Sequence, residues 1–166
     1  MIAYNTLLFH GSVIAVDGEA YLFTAKSGTG KSTHTKLWRK YFGNRAVMVN
    51  DDKPLLKVTG KGVLACGTPW AGKDHLQNNI MVPLKAVCIL ERDTVNHIEQ
   101  IRKRDAWKMI LQQSYRSDQP AVLSSTIRLA EQIMDKTKLY RLGCNMSMQA
   151  VETSYNGMNT DIDYAD

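Results

Sequence analysis

The chain has 166 residues, 44% of them apolar and 22% charged, and a net charge of +5; this is the composition of one ordinary globular domain, large enough to bury a core without disulfide or metal staples. No stretch approaches the roughly 20 apolar residues that a membrane-spanning helix needs, so no membrane association is expected. The basic residues are spread along the chain rather than gathered into a stripe, with Arg102-Lys103-Arg104 reading as a solvated helix face, so no nucleic-acid partner is expected either.

The first residues, MIAYNTLLFHGS, hold a short apolar run but neither a basic leader nor a small-residue cleavage site, which argues against export. Further along, LLFHGSVIAV and AYLFTA flank Asp17-Gly18 and predict an antiparallel hairpin within residues 6–25. From Lys31 to Phe42 the spacing of Leu37, Trp38, Tyr41 and Phe42 predicts a helix, with Gly43-Asn44 as its stop. The strand RAVMV follows and ends in Asn50-Asp51-Asp52. A second hairpin pairs PLLKVT with VLACGT around Gly60-Lys61-Gly62.

The segment GTPWAGKDHLQNN has no sustained period and reads as a loop, after which KAVCILER and HIEQI read as strands. Two helices are predicted next: RDAWKMILQQSY, with Trp107, Ile110, Leu111 and Ser114 on one stripe, and PAVLSSTIRLAEQIMDKT, with Leu123, Ile127, Ala130 and Met134 on another. KLYRLGCNM is a last strand. The expected fold class is therefore α/β, a single domain over residues 1–145 whose sheet is mixed and partly antiparallel. Residues 146–166 end in the polar run NGMNTDIDYAD and are expected to be a mobile tail unless a partner holds them. Cys66, Cys88 and Cys144 lie far apart in apolar surroundings, the pattern of buried reduced thiols, which points to a cytoplasmic location.

The chemistry concentrates in FTAKSGTGKSTHT, Phe23 to Thr35, a phosphate-binding loop (P-loop) pattern with Ala25 where glycine is usual. Strand, glycine-rich loop and helix follow in the order such a loop requires. Gly28 and Gly30 let backbone N–H groups converge on phosphate oxygens, and the helix adds the positive end of its dipole. Ser27, Gly28, Thr29, Gly30, Lys31, Ser32 and Thr33 are the candidate nucleotide-binding residues. Lys31 reaches the β- and γ-phosphates, and Ser32 places a hydroxyl on Mg²⁺, with Thr33 a weaker neighbour for the same duty.

Asp51 and Asp52 end the strand after the loop's helix, where ligands gather in α/β folds. Adjacent carboxylates on a strand point to opposite faces, so one can hold Mg²⁺ while the other faces an attacking hydroxyl as a base. His10, at the end of the first strand run, approaches the same loop. Lys73 and His75, with Asp74 between them, offer a clamp for a γ-phosphate or substrate.

FHGSVIAVDGEAYLFTAKSGTGKSTHTKLW followed by MVNDDKPLL resembles the HPr kinase/phosphorylase family and, more distantly, the ATP-dependent phosphoenolpyruvate carboxykinases of the same fold. His10-Gly11, Ser27 to Ser32 and Asp51-Asp52 match that kinase family's elements in order, over about the first sixty residues. The resemblance implies a loop fed by antiparallel strands, phosphate binding by Lys31, Mg²⁺ on Ser32, Asp51 as the base on a serine hydroxyl, Asp52 supporting it or the metal, and His10 at the site. It does not extend to the family's Glu-Leu-Arg-Gly-Leu-Gly signature or its N-terminal domain, and Thr33 stands where the family usually has glutamate.

The expected function is an ATP- and Mg²⁺-dependent kinase acting on a hydroxyl, a serine of a small protein or peptide, with homo-oligomerisation left open. A nucleotide-binding sensor or accessory module without chemistry is the alternative. A small-molecule kinase or carboxykinase acting on a metabolite is a further one.

Overall fold

A computed structural model describes residues 5–68 and 79–160. In chain order the elements are β1 (Thr6–Leu8), β2 (Gly11–Val16), β3 (Glu19–Thr24), α1 (Lys31–Phe42), β4 (Ala46–Asp52), β5 (Leu55–Thr59), β6 (Gly62–Cys66), β7 (Met81–Arg92), β8 (His97–Gln100), α2 (Lys103–Gln113), α3 (Pro120–Lys136), β9 (Lys138–Cys144) and α4 (Met148–Met158). The protein is thus α/β, with four α-helices among the described residues and a mixed, curled sheet.

Asp17 and Gly18 both have positive φ, 52° and 83°, as the two-residue turn of a tight hairpin requires, and they set β2 antiparallel to β3. On its far side β2 pairs antiparallel with β4, whereas β3 pairs parallel with β7, and β7 in turn parallel with β9. A smaller antiparallel sheet, β1, β5 and β6, joins through the first residues of β7, where Leu64 to Cys66 pair with Met81 to Pro83. The long strand β7 therefore belongs to both sheets.

Successive residues of the central strands point to opposite faces. Val13, Leu22, Val87 and Ile89 enter one core with Ala106 and Ile110 of α2 and Leu129 and Ile133 of α3. Ile14, Phe23, Cys88 and Leu90 enter the other with Trp38 and Phe42 of α1 and Val151 and Met158 of α4. Near-continuous apolar runs such as VIAV and AVCIL are what strands covered on both faces require.

Three details depart from the sequence reading. Residues 148–158 form helix α4, burying Ala150, Val151, Ser154 and Met158, where a tail was expected; residues 161–166 lie outside the described residues. On α3 the buried face is Thr126, Leu129, Ala130, Ile133 and Met134, so Leu123 and Ile127 sit at its margin. On α1 the buried face carries His34 and Thr35 beside Trp38 and Phe42, leaving Tyr41 exposed. In each case small or polar side chains occupy buried positions by packing or hydrogen bonding, which an apolar count does not register. The three cysteines are free, Cys88 buried and the others half-buried. Among the described residues no helix is long and apolar enough to cross a membrane.

Candidate functional site

The loop from Ala25 to Gly30 leaves the carboxyl end of β3 and delivers the chain into α1. Ala25 is fully buried and is not among the positive-φ residues, so alanine fits where the usual pattern has glycine. Gly28 and Gly30 have φ of 82° and 105°, a region that a side chain enters only at a cost. Gly30 has a second constraint, because a Cβ there would lie 2.7 Å from Cε of Met146. The Thr29 N–H closes a turn onto the Lys26 carbonyl at 3.2 Å, and the first bond within the helix runs from His34 N–H to the Gly30 carbonyl. The N–H groups of Lys31, Ser32 and Thr33 precede that bond and have no partner inside the helix.

A cleft of about 630 Å³ opens in front of this turn. Ser27, Gly28, Gly30, Lys31, Ser32 and Thr33 line one side, and His10, Asp51 and Asp52 the other. Thr29 is not among its lining residues. Lys73 and His75 lie outside the described residues.

The acidic pair divides as adjacent strand residues must. Asp51 is nearly buried and points toward α1, where its Oδ1 accepts hydrogen bonds from Ser12 Oγ at 2.7 Å and Ser32 Oγ at 3.0 Å. Ser12 also meets Thr35 Oγ1 at 3.0 Å. Asp52 turns the other way, with Oδ1 3.2 Å from Nε2 of His10. The second ring nitrogen of His10, Nδ1, lies 2.9 Å from Oε1 of Gln113. Burial pulls the Lys31 ammonium below its usual range, opposed by the nearby charges of Asp52 and Asp51. Its Nζ donates to the Ala25 carbonyl at 3.4 Å, a long bond that a stronger acceptor could displace.

Three contributors, Ser12, Asn50 and Arg92, were not anticipated from sequence. Ser12 is set opposite Asp51 by the antiparallel register of β2 and β4, a pairing that no spacing along the chain discloses. Gly11, between His10 and Ser12, has no room for a Cβ, which would sit 2.7 Å from Leu22 Cδ1 and 2.9 Å from the Phe23 carbonyl. Asn50 is fully buried, and its Oδ1 accepts from the N–H groups of Asp52 and Lys53 at 2.9 and 2.8 Å while its Nδ2 donates to Thr68. That bonding turns the chain just past the acidic pair, the usual work of asparagine at a strand end. Arg92 ends β7, the parallel neighbour of β3, and its guanidinium donates to the Gly28 carbonyl while lining the cleft.

Magnesium in nucleotide sites is held by one or two carboxylates, a hydroxyl, phosphate oxygens and water rather than by a closed protein cage. The Ser32 hydroxyl beside the Asp51 carboxylate, with Asp52 next in the chain, fits that donor set. Among the described residues no cluster of three or more His, Cys, Asp or Glu forms a closed cage.

No known protein family matches the chain, and no curated protein does. Among solved structures it is similar to the HPr(Ser) kinase/phosphatase from Coxiella burnetii, at 15% identity and a TM-score of 0.38, over 57% of this chain and 70% of that one. That likeness is too slight to assign a function, and the cleft's own residues have to carry any reading of it.

Proposed function

We propose that the protein is a kinase that transfers the γ-phosphoryl group of ATP, with Mg²⁺, to a hydroxyl, most simply a serine of a small protein or peptide. The observation that carries this is the meeting, in one cleft, of an open helix N-terminus bearing Lys31 and Ser32 with a carboxylate pair whose members face different groups. A P-loop that binds phosphate needs only the first half. The second half supplies what transfer requires, namely a group for the metal side and a group for the acceptor side.

In this reading the loop amides and Lys31 cradle the phosphates. Bound Mg²⁺ supplies charge neutralisation on the phosphoryl oxygens. Ser32 and Asp51 would hold it, Asp51 being kept in place by the Ser12 hydroxyl. Asp52, braced by His10, takes the proton as the acceptor oxygen bonds to the γ-phosphorus and the bond to the bridging oxygen of the leaving diphosphate breaks. These roles exchange the two aspartates relative to those implied by the family resemblance, and they do so because Ser32 touches Asp51 while His10 touches Asp52. ATP chemistry and reduced thiols together suit a cytoplasmic setting.

Nucleotide binding and transfer, measured separately, test the proposal. Lys31→Ala should weaken MgATP binding by tenfold or more, and Asp52→Asn should cut phosphoryl transfer by about 10²-fold or more while leaving binding nearly intact. Asp51→Asn should chiefly weaken the Mg²⁺-dependent part of nucleotide affinity. If Asp51→Asn instead spares binding and removes transfer, the aspartates hold the other assignment. Tight MgATP binding with no transfer to any hydroxyl would leave a nucleotide sensor as the function.

A further inference from the structure

A second cavity, of about 580 Å³, adjoins the phosphate cleft and shares His10 with it. Its other walls are the end of α2, the segment that follows it to Asp118, and Leu123 of α3. That wall is fixed to the segment between β1 and β2 that carries His10. The His10 N–H donates to the Gln113 carbonyl at 2.8 Å, the Tyr115 N–H donates to the Leu8 carbonyl at 3.0 Å, and Ser114 bridges to Phe9. The His10 ring is therefore the partition between the cavities, with Nε2 on Asp52 and Nδ1 on Gln113.

We infer that this second cavity is the acceptor site, and that its occupant is an extended polypeptide segment carrying the reactive hydroxyl with an acidic side chain one or two residues away. The inference rests on the kinase reading for its geometry. An in-line displacement needs the acceptor oxygen to approach from the side opposite the leaving diphosphate, beside the base, and this cavity meets the phosphate cleft at His10, whose Nε2 lies 3.2 Å from Asp52 Oδ1.

The lining sets the chemistry of the occupant. A volume of about 580 Å³ is far more than a free hydroxy amino acid fills, and falls in the range that encloses a ligand of several residues or fewer. Gln112 and the Gln113 amide present donors and acceptors that match peptide groups, and Leu123 supplies an apolar contact. The Arg116 guanidinium makes no ion pair or hydrogen bond among the described residues, and is the group that fits a carboxylate in two-point fashion. The Lys53 ammonium lies 5.9 Å over the Tyr115 ring and 3.9 Å from Asp52 Oδ2, between this rim and the base. Among the described residues Asp118 is the one carboxylate in this wall; it can accept a backbone N–H of the segment and disfavours a second acidic side chain near it.

The test uses the full chain and two dye-labelled, end-capped heptapeptides with a central serine, one bearing Asp two residues away and the other Asn. Peptide binding is read by fluorescence anisotropy without nucleotide, and transfer is read with MgATP. The Asp peptide should bind about tenfold tighter than the Asn peptide. Arg116→Ala should erase that preference, and Arg116→Glu should turn it toward a third peptide, added for this variant, with Lys in the same place. Leu123→Trp, which fills the cavity, should weaken both peptides. Thermal melts of each variant establish that it is folded, and charge reversal by Arg116→Glu is a readout that a damaged fold cannot produce. Equal affinity for the Asp and Asn peptides, a preference that survives Arg116→Ala, or phosphorylation of free serine in preference to either peptide would overturn the inference. If peptides bind as expected but MgATP does not bind at all, the acceptor groove stands and the kinase reading falls.

Discussion

His34 packs edge-on against Phe23, with ring centroids 4.7 Å apart, and its Nε2 accepts a hydrogen bond from Trp38 Nε1 at 3.0 Å. Its Nδ1 has no partner among the described residues and the residue is almost fully buried, so protonation would place a charge in an apolar layer. Burial pushes its pKa down from 6.5 to about 4. A base whose folded pKa is depressed binds its proton more readily in the unfolded chain. Its contribution to stability is therefore complete above about pH 6.5 and is lost as pH falls from there to about 4, roughly 3 kcal/mol in all. His34→Gln keeps an acceptor for Trp38 but cannot titrate. Urea unfolding at about pH 7.5 and about pH 4.5 should show the native chain losing about 2 kcal/mol more than this variant over that interval. Parallel losses in the two proteins would mean that His34 is not the acid-sensitive group.

At the scale of elements, α4 closes one face of the sheet, and it does so through a glycine. A Cβ on Gly157 would lie 2.2 Å from Cγ2 of Ile98 on β8, a contact that a new Ile98 rotamer or movement of helix or strand must relieve. Two effects of Gly157→Ala then oppose each other: overpacking costs about 1–3 kcal/mol, and replacing glycine inside a helix gains up to about 1 kcal/mol. The sum should be destabilising by about 1–2 kcal/mol in the native chain and should change sign in an Ile98→Ala background, where the clash is gone. A denaturant double-mutant cycle measures this, and a coupling near zero would show that α4 does not seat through this contact. The same helix explains what the sequence did and did not disclose. The hairpin at Asp17-Gly18, α1 and the strand into Asp51-Asp52 are legible because turn chemistry and apolar period agree there. Helix α4 is not, because its buried residues include Ala150 and Ser154, and its seat needs Gly157 to be small rather than apolar. In the cleft, Lys31, Ser32, Asp51 and Asp52 could be read from spacing, whereas the Ser12–Asp51 and His10–Asp52 pairings depend on strand register and face, and Arg92 on β7 lying parallel to β3.

The two cores are separated by one layer of strands, and β7 supplies alternate residues to both, Val87 and Ile89 to one and Cys88 and Leu90 to the other. Neither face can come apart without freeing a strand on which the other depends, and so the chain should unfold as one cooperative unit. The three tryptophans allow a direct test. With Trp70→Phe and Trp107→Phe in place, Trp38 is the remaining fluorophore, and it lies in the α1 and α4 core with its ring 5.0 to 5.8 Å from those of Tyr21, Phe23, Phe42 and Tyr155. Ile110, 1% exposed, sits in the opposite core under α2. In that background Ile110→Ala should cost about 2–5 kcal/mol through the cavity it leaves. Cooperativity requires Trp38 emission to report the whole of that loss from across the sheet, with a urea midpoint that coincides with the one from far-ultraviolet circular dichroism. A Trp38 transition that stays at its original midpoint while the circular dichroism splits into two steps would mean that the faces unfold separately. In that case the aspartates of β4 and the wall formed by α2, which lie on elements tied to each other through His10, would be held together by the His10–Asp52 and His10–Gln113 contacts rather than by the shared strand.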